Sequence, residues 1–302
     1  AENEQIALAL KDIDLYTELN NLDSKTNYIL KENTEFTYKY NYNNNYYIST
    51  TDGNYWIREY NFVSSPYYKS AITINDTNVY NIYKENSQII ETLPPNTKIQ
   101  VLYNVFHEGV ECFYISYNNT RGWLKNPSLA TNDYNMNCMF ITETTIFSNP
   151  NETSTKLTTI PKNTELRLQY YDKKWSYITY NNISGWAKNE NIAISNFYKY
   201  GLKATGQEVE VYQNPSYESE KADFTIPANH QTISIYEYDR YWNHAWHYIA
   251  YNGKSGWVAP HEIQEVYIKY DLPDFSFELA KLPTPILKEK SNRISSRNLE
   301  QL

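Results

Sequence analysis

The sequence is poor in glycine and cysteine and has no long apolar run. Its 302 residues include only 8 Gly and 2 Cys, which excludes collagen-like chains, glycine-rich linkers and disulfide-dense scaffolds. The longest apolar stretches, such as residues 6–10, fall far short of the roughly 20 residues that a membrane-spanning helix needs. The two cysteines, Cys112 and Cys138, permit at most one disulfide bond, and the sequence leaves open whether it forms.

Basic residues are also in short supply. The 27 Lys and Arg residues are outnumbered by 35 Asp and Glu residues, which gives a net charge of -8. Affinity for nucleic acids comes largely from Lys and Arg that displace counterions, so a nucleic-acid partner is disfavoured. Teichoic acids and anionic lipid surfaces are disfavoured for the same reason.

Aromatic residues are abundant instead. The chain contains 32 Tyr, 7 Trp and 10 Phe residues, and its mean hydropathy is -0.71. Aromatic side chains suit the half-buried surface of a pleated sheet, which favours strands over helices. Disordered segments lack such residues, so the composition argues against intrinsic disorder for most of the chain.

A block of residues recurs four times along the chain. In each copy a Tyr precedes a Trp by nine positions, an Asn lies upstream at the start of a strand, and an aromatic residue stands 16 or 17 positions before that Asn. The Tyr and Trp pairs are Tyr47 and Trp56, Tyr114 and Trp123, Tyr177 and Trp186, and Tyr248 and Trp257; the Asn residues are Asn33, Asn96, Asn163 and Asn229, and the leading aromatics are Tyr16, Tyr80, Phe147 and Tyr212. Four segments that agree on one spacing indicate an internal repeat.

The local pattern of each copy predicts short antiparallel strands. Side chains alternate with a period of two, and Asn-rich or Asn-Gly turns separate the strands, as in residues 175–186. Asn tolerates left-handed turn positions nearly as well as Gly, which fits the low glycine count. We expect an all-β chain of four small barrels of about 60 residues each, a size near the lower limit for an independent core. The predicted bounds are 10–66, 72–131, 138–196 and 203–266, followed by a partly flexible C-terminal extension over 267–302.

The arrangement resembles the bacterial SH3-like (SH3b) domain family over about residues 10–266. The third and fourth copies carry the resemblance most clearly, through Asn149-Pro150 or Asn214-Pro215, a Pro-x-Asn turn, a Trp-x-Tyr-Ile strand and a Ser-Gly-Trp block. The first copy departs from it, with Tyr55 where the others have Gly and Lys31 where they have Pro. The resemblance implies small β-barrels that recognise cell-wall peptidoglycan, other surface polymers or peptides.

No catalytic or metal-binding constellation stands out. Cys112 follows His107 by five residues, but Cys112 occupies the column that holds Trp175 and Trp246 in other copies, which favours a structural cysteine over a nucleophile. His244 and His247 are three apart and face opposite sides of an extended strand, so they are poor metal co-ligands. We therefore expect no enzyme activity, no metal and no cofactor.

Two groups of aromatic residues have different expected roles. The residues repeated at one register are expected to fill the barrel cores: Trp56, Trp123, Trp186, Trp257, Tyr47, Tyr114, Tyr177 and Tyr248. Residues of the variable loops are the expected ligand-binding candidates, because exposed Tyr and Trp offer rigid apolar area with a polar tip. They are Tyr238, Asp239, Arg240, Tyr241 and Trp242 in the fourth copy, Phe106 and His107 in the second, and Tyr170 and Tyr171 in the third. The fourth-copy loop is open to a second interpretation, as cover for an interface with the third copy.

Charge differs between the copies. The net charge is -4 over 1–71, -1 over 72–131, +1 over 138–196 and -5 over 203–266. One polymer bound evenly across four equivalent sites is therefore not expected. Together with the SH3b resemblance, these features predict a non-catalytic exported protein, at the cell surface, in the periplasm or outside the cell, that binds cell-wall glycan or peptide or another envelope component. The alternative is a scaffold that binds a peptide or an envelope protein between barrels.

Overall fold

The computed structural model describes residues 4–64, 67–132, 136–195, 201–238 and 245–266. The described chain is all-β, as predicted, with two three-residue 3-10 turns at Leu22–Ser24 and Asn189–Asn191. The predicted C-terminal extension, 267–302, lies outside the described residues. Contacts divide the chain into two compact units, residues 1–133 and 134–302, so the first two predicted repeats fall in one unit and the last two in the other.

Fourteen strands form the described part of the first unit. Those of the first segment are β1 (Gln5–Ala9), β2 (Ile13–Tyr16), β3 (Lys25–Leu30), β4 (Glu35–Tyr42), β5 (Asn45–Thr50), β6 (Gly53–Ile57) and β7 (Phe62–Val63); those of the second are β8 (Lys69–Thr73), β9 (Thr77–Tyr80), β10 (Ile89–Leu93), β11 (Lys98–His107), β12 (Val110–Tyr117), β13 (Thr120–Lys125) and β14 (Leu129–Thr131). The strand order is β3-β2-β6-β5-β4-β1-β7 in the first segment and β10-β9-β13-β12-β11-β8-β14 in the second. The two segments therefore have the same antiparallel topology, strand for strand.

Sixteen strands form the described part of the second unit. Those of the third segment are β15 (Asn137–Phe140), β16 (Thr144–Phe147), β17 (Lys156–Ile160), β18 (Glu165–Arg167), β19 (Tyr170–Tyr171), β20 (Trp175–Tyr180), β21 (Ile183–Lys188) and β22 (Ile192–Ser195); those of the fourth are β23 (Gly201–Ala204), β24 (Val209–Tyr212), β25 (Lys221–Ile226), β26 (Gln231–Ile233), β27 (Tyr236–Tyr238), β28 (Trp246–Tyr251), β29 (Lys254–Val258) and β30 (Ile263–Val266). The long strand that is continuous in β4 and β11 is interrupted here, as β18 and β19 and again as β26 and β27. Each of these segments therefore places five strands in one sheet and three in another.

Among the described residues, none of the sheets closes into the barrel that the sequence predicts. In the first segment β3 and β7 lie at opposite edges of the sheet and are not paired with each other. A register shift between Tyr38 and Tyr40 interrupts the pairing of β4 with β5, and the same shift recurs between Val101 and Tyr103 in β11. Such bulges bend a strand and increase its twist. β4 and β11 are therefore expected to bend at equivalent places.

Each segment has a small core of aliphatic residues. Its buried members come from alternate positions of neighbouring strands, as the period-two pattern predicts. The cores are centred on Ile13, Leu15, Ile48 and Ile57; on Val79, Leu93, Ile99, Val101 and Ile115; on Ile146, Ile160, Leu168 and Ile178; and on Val209, Val211, Ile226 and Ile249. These clusters do not include the repeated Trp residues.

Asparagine performs the turn role that glycine usually has. Thirteen Asn residues in the described ranges have positive φ angles, from 42° at Asn118 to 66° at Asn96. Asn has a short polar side chain that tolerates this left-handed region better than other non-glycine residues do. The prediction that Asn replaces Gly at the turns is confirmed.

Glycine is retained where two strands approach closely. A Cβ atom at Gly122 would lie 2.5 Å from Cγ1 of Val79, and one at Gly256 would lie 2.5 Å from Cγ1 of Val211. This explains the Gly that precedes Trp in three of the four copies, since any side chain there would collide with the neighbouring strand.

Candidate functional site

Four aromatic residues form a row across the sheet of the first segment. Tyr16 of β2 is paired with Trp56 of β6, Trp56 with Tyr47 of β5, and Tyr47 with Tyr40 of β4. Directly opposed residues of antiparallel strands project from the same face, so their rings contact one another. The ring centroids are 4.8 Å apart for Tyr47 and Trp56, 5.2 Å for Tyr40 and Tyr47, and 5.8 Å for Tyr40 and Trp56.

The same row exists in every segment. It comprises Tyr80, Trp123, Tyr114 and Tyr103 in the second, Phe147, Trp186, Tyr177 and Tyr170 in the third, and Tyr212, Trp257, Tyr248 and Tyr236 in the fourth. Three members of each row are the residues that the sequence marked by their fixed spacing. The register thus explains the repeat, because the spacing brings these three residues into line.

Residues of the first segment cover the second row. The indole Nε1 of Trp123 donates a hydrogen bond to Oδ1 of Asn33 at 2.7 Å, and the hydroxyl of Tyr103 donates one to Oε1 of Glu35 at 3.2 Å. Leu8 packs into the same cluster. Trp123 and Tyr103 are completely buried, and burial raises the pKa of Tyr103.

Residues of the third segment cover the fourth row in the same way. The hydroxyl of Tyr236 donates to Oε2 of Glu165 at 2.9 Å, and Met139 and Ala193 pack beside Tyr236 and Trp257. Glu165 follows the turn residue Asn163 by two positions, as Glu35 follows Asn33. The two units therefore contain equivalent interfaces.

These contacts correct the expected role of the repeated aromatic residues. Trp123, Tyr114 and Trp257 pack between segments, in clusters separate from the aliphatic cores. The reason is register: each row lies on the sheet face opposite to the residues that fill the core. Trp186 is completely buried, Tyr177 and Tyr248 are half-buried, and each packs its ring against a neighbour in its row.

The row of the first segment is called the open row, because it is more exposed than the rows of the second and fourth segments. Tyr40 is 37% exposed, and Tyr16, Tyr47 and Trp56 are half-buried. Tyr42, two residues beyond Tyr40 on the same strand, is 56% exposed. Rings whose equivalents are largely buried in the second and fourth segments thus remain accessible in the first. This differs from the prediction that Trp56 and Tyr47 fill a core.

Two cations flank the open row. Nζ of Lys39 lies 6.0 Å from the ring centroid of Tyr47, and the guanidinium of Arg58 lies 4.3 Å from that of Tyr16. Next to Arg58 is a cavity of about 180 Å³, whose lining includes Asp12 and Glu59. The open row therefore combines flat apolar area with charged groups at both ends.

The loop residues predicted to bind a ligand are distributed differently. Phe106 is 74% exposed at the tip of the β11–β12 hairpin, and the ring of the adjacent His107 lies 5.2 Å from that of Tyr83. Tyr170 and Tyr171 are half-buried, and Tyr170 belongs to the third row. Phe106 and His107 belong to the first unit, and Tyr170 and Tyr171 belong to the second.

The fourth-copy loop is described only in part. Tyr238 is buried, and its hydroxyl donates to the backbone carbonyl of Glu190 in the third segment at 3.0 Å. For Tyr238 this matches the interface interpretation of that loop. The other four candidates, Asp239, Arg240, Tyr241 and Trp242, lie outside the described residues.

The reactive side chains are held in apolar surroundings. Cys112 and Cys138 are both free and buried, so the disulfide left open by the sequence is not formed. Burial raises the pKa of the Cys112 thiol and raises that of Cys138 to about 12. His247 is buried with its Nδ1 2.9 Å from Oγ of Ser234, and burial lowers its pKa to about 4.

Neither a metal centre nor a membrane helix is found in the part of the chain that the structure describes. No three or more His, Cys, Asp or Glu residues there are grouped so that they could hold a metal ion. The helical turns of that part are too short to cross a bilayer.

One tyrosine of each row does not stand out when the four repeats are compared in sequence. It is Tyr40, Tyr103, Tyr170 and Tyr236 in the four segments. It precedes the repeated Tyr by 7 positions in the first and third segments, 11 in the second and 12 in the fourth. The variable hairpin lies between the two residues, which removes the fixed spacing. A search for a Tyr before each hairpin, with the loop length left free, would have found it.

Several solved structures show a remote likeness to this chain. An autolysin candidate from Listeria monocytogenes is 17% identical over 66% of this chain and 96% of that chain, with a TM-score of 0.22. NlpC1 and NlpC2 from Trichomonas vaginalis are 11% and 10% identical, over 76% and 90% of this chain and 94% and 95% of theirs, each with a TM-score of 0.21. TM-scores this low do not establish a shared arrangement.

Comparison with known sequences is more specific. The chain matches none of the curated proteins. Residues 142–193, which form most of the third segment, match the model of the bacterial SH3 domain. The third segment therefore contains a bacterial SH3 domain.

Proposed function

We propose that the protein is a non-catalytic, exported binding protein of tandem SH3-like modules that recognises the peptidoglycan of the bacterial cell wall. The bacterial SH3 domain of the third segment supports this proposal. Support for the tandem arrangement comes from the strand order that the first two segments share and from the aromatic row present in all four.

The observation that carries the proposal is the open row of the first segment. Equivalent rows in the second and fourth segments are buried by protein, whereas Tyr40, Tyr47 and Trp56 remain accessible. Exposed aromatic faces bind the apolar faces of sugars and peptides while their polar tips form hydrogen bonds. The open row is thus the surface best suited to a wall polymer.

The cysteine environments support a non-catalytic role. A cysteine nucleophile needs a depressed pKa, which a nearby cation or an activating base provides. Burial instead raises the pKa of Cys112 and of Cys138. Both thiols behave as small apolar core residues.

Co-sedimentation with purified bacterial sacculi tests the proposal. We expect the wild-type chain to co-sediment at low salt and Trp56→Ala to weaken binding about tenfold or more, since central aromatic residues commonly contribute 2 kcal/mol or more to binding. Tyr28→Ala is the matched control, because Tyr28 is 65% exposed on an edge strand of the same sheet and outside the row. If the wild type stays in the supernatant while a known wall-binding module sediments, the proposal is wrong.

A protein-binding scaffold is the second candidate, and one observation favours it. The second and fourth rows each donate a hydrogen bond to a side chain of another segment, so the row geometry suits protein surfaces. A photo-crosslinking residue in place of Tyr42, which is 56% exposed, would test this in whole cells. One enriched protein partner, lost with Trp56→Ala, supports the scaffold; diffuse labelling without an enriched protein argues against it.

A further inference from the structure

A short turn that begins with a left-handed Asn covers the second row. This Asn turn comprises residues 33–35 of the first segment. Oδ1 of Asn33 accepts a hydrogen bond from the indole N–H of Trp123 at 2.7 Å. Oε1 of Glu35, the third residue of the turn, accepts one from the hydroxyl of Tyr103 at 3.2 Å. The first and third residues of the turn therefore supply the acceptors for the row.

The fourth row is covered by the equivalent Asn turn, residues 163–165 of the third segment. Asn163 has a φ angle of 63°, close to the 65° of Asn33. Glu165, the third residue of this turn, accepts a hydrogen bond from Tyr236 at 2.9 Å. Two separate interfaces thus place the third turn residue on the same tyrosine of the row.

The open row has the same two donors available. Trp56 and Tyr40 occupy the positions of Trp123 and Tyr103 in equivalent strands. Within the described part of the chain, no group accepts a hydrogen bond from the indole N–H of Trp56 or the hydroxyl of Tyr40. The open row is therefore a docking surface without an Asn turn on it.

The fourth segment has an exposed Asn turn, residues 229–231. Asn229 has a φ angle of 62°, and Asn229 and Gln231 are both exposed. Neither side chain is hydrogen-bonded to another group in the described ranges. The amide oxygens of Asn and Gln accept hydrogen bonds. This turn therefore offers an acceptor at its first residue and another at its third, as the docked turns do.

The charged groups of the docked interface are replaced by neutral ones on both of these surfaces. In the second row, Nη1 of Arg121 lies 2.8 Å from Oε2 of Glu35. Asn54 stands at the position of Arg121 in the first segment. Gln231 stands at the position of Glu35 in the fourth segment. Docking of this turn on the open row would therefore leave neither a carboxylate nor a guanidinium unpaired, which would be costly.

The aliphatic contact beside the row is also replaced on both surfaces. Leu102 packs in one cluster with Leu8 in the covered second row. Lys39 stands at the position of Leu102 in the first segment, and Lys203 stands opposite Gln231 as Leu8 stands opposite Glu35. Glu4 lies 3.7 Å from Nζ of Lys39, so the ammonium already has a counter-charge. The resulting contact is more polar than the internal ones, which is typical of association between separate molecules rather than of obligate interfaces.

We propose that the open row docks the Asn turn of the fourth segment of another molecule of this chain. Oδ1 of Asn229 accepts a hydrogen bond from Nε1 of Trp56, and Oε1 of Gln231 accepts one from the hydroxyl of Tyr40. The two surfaces are different, so the contact is heterologous and successive molecules join head to tail. This inference goes beyond the proposed function, and because both use the open row, a docked molecule and a wall polymer exclude each other there.

Sedimentation equilibrium of the full chain tests the docking. The monomer mass is 35.7 kDa. Head-to-tail association predicts a weight-average mass that rises with concentration and passes twice that value without levelling. The first and fourth segments both carry net negative charge, -4 over 1–71 and -5 over 203–266. Added salt should therefore strengthen the association, because it screens their repulsion.

Two variants that each block one surface identify the contact. Trp56→Ala removes a donor and a ring from the row. Asn229→Gly combined with Gln231→Ala removes both acceptors, and Gly tolerates the φ angle of the turn. Each variant alone should stay monomeric. An equimolar mixture should form a dimer and nothing larger, because the mixture retains one working row and one working turn.

Matched controls separate docking from loss of folding. Tyr28→Ala and Asn252→Gly are exposed substitutions in the first and fourth segments, and Asn252 also has a positive φ angle, 47°. Both should assemble as the wild type does. Tyr40→Phe keeps the ring of the row and removes only a hydrogen bond, so the dissociation constant should rise several-fold.

Four results would overturn the assignment. They are a wild type that stays monomeric at the highest soluble concentration, a mass that levels at twice the monomer, assembly that persists in either blocked variant, and an equimolar mixture that stays monomeric. These measurements contain no wall material, and co-sedimentation with sacculi contains no test of self-association. Failure of this inference is therefore distinguished from failure of the proposed function.

Discussion

The hydrogen bond between Tyr236 and Glu165 provides the most direct test of the interface that joins the third and fourth segments. Tyr236 is completely buried, and its hydroxyl donates to Oε2 of Glu165 at 2.9 Å. Tyr236→Phe removes this hydroxyl and leaves the ring, so the packing against Met139 and Trp257 is preserved.

The size of the effect follows from what each partner does after the substitution. A hydrogen bond to a charged group contributes about 1.5–3 kcal/mol to stability. Glu165 is exposed, so its carboxylate binds water when the hydroxyl is removed. The loss of stability therefore lies at the lower end of this range. We expect the free energy of unfolding of this unit to fall by about 1.5 kcal/mol.

Urea unfolding monitors this change. With a slope of about 3 kcal/mol/M, the loss moves the midpoint by roughly 0.5 M at an unchanged slope. A double-mutant cycle with Glu165→Ala should give a coupling energy of about 1 kcal/mol. Tyr28→Phe, at an exposed position of the first segment, is the control. Additive effects of the two substitutions would refute the assigned contact.

Three further predictions concern buried positions. Gly122→Ala should destabilise the chain by about 1–3 kcal/mol in denaturant unfolding, because its Cβ would lie 2.5 Å from a methyl group of Val79. The control Gly206→Ala should be nearly neutral, because no atom lies within 4 Å of its Cβ. Equal effects of the two substitutions would contradict the explanation. Burial lowers the pKa of His247 to about 4, so below pH 6.5 the unfolded chain binds a proton that the folded chain does not. The free energy of unfolding should therefore fall by up to roughly 3 kcal/mol between pH 6.5 and 4. A melting temperature no more pH-dependent than that of His247→Gln would refute this. Cys112 and Cys138 should resist iodoacetamide at pH 8 in the native chain and react on unfolding, as mass spectrometry would show, because burial raises both pKa values.

Much of the fold was predictable because it depends on local patterns. Period-two alternation and the fixed spacing from Tyr to Trp predicted short antiparallel strands in four segments, and the Asn turns followed from the known tolerance of Asn for positive φ. Closure into barrels was predicted, but none of the sheets closes within the described ranges. The bulges at Tyr38 to Tyr40 and at Val101 to Tyr103 interrupt strand pairing, and no residue type in the sequence marks them.

The site was harder to predict because it depends on which face of each sheet is covered. Trp56 and Trp123 are equivalent in sequence and register, yet Trp123 is completely buried and Trp56 remains half-exposed. The difference comes from Asn33 and Leu8, which lie in another segment and cover Trp123. A fixed spacing identifies equivalent positions, but it does not show which of them a neighbouring segment covers.

The thirteen left-handed asparagines also affect the unfolded chain. Glycine at those turns would adopt the same φ angles with less strain, but it would give the unfolded chain many more backbone conformations. Each Asn therefore restricts the unfolded ensemble and reduces the entropy lost on folding. For small cores built largely from short strands, part of the stability arises from this smaller entropy loss rather than from contacts within the folded protein.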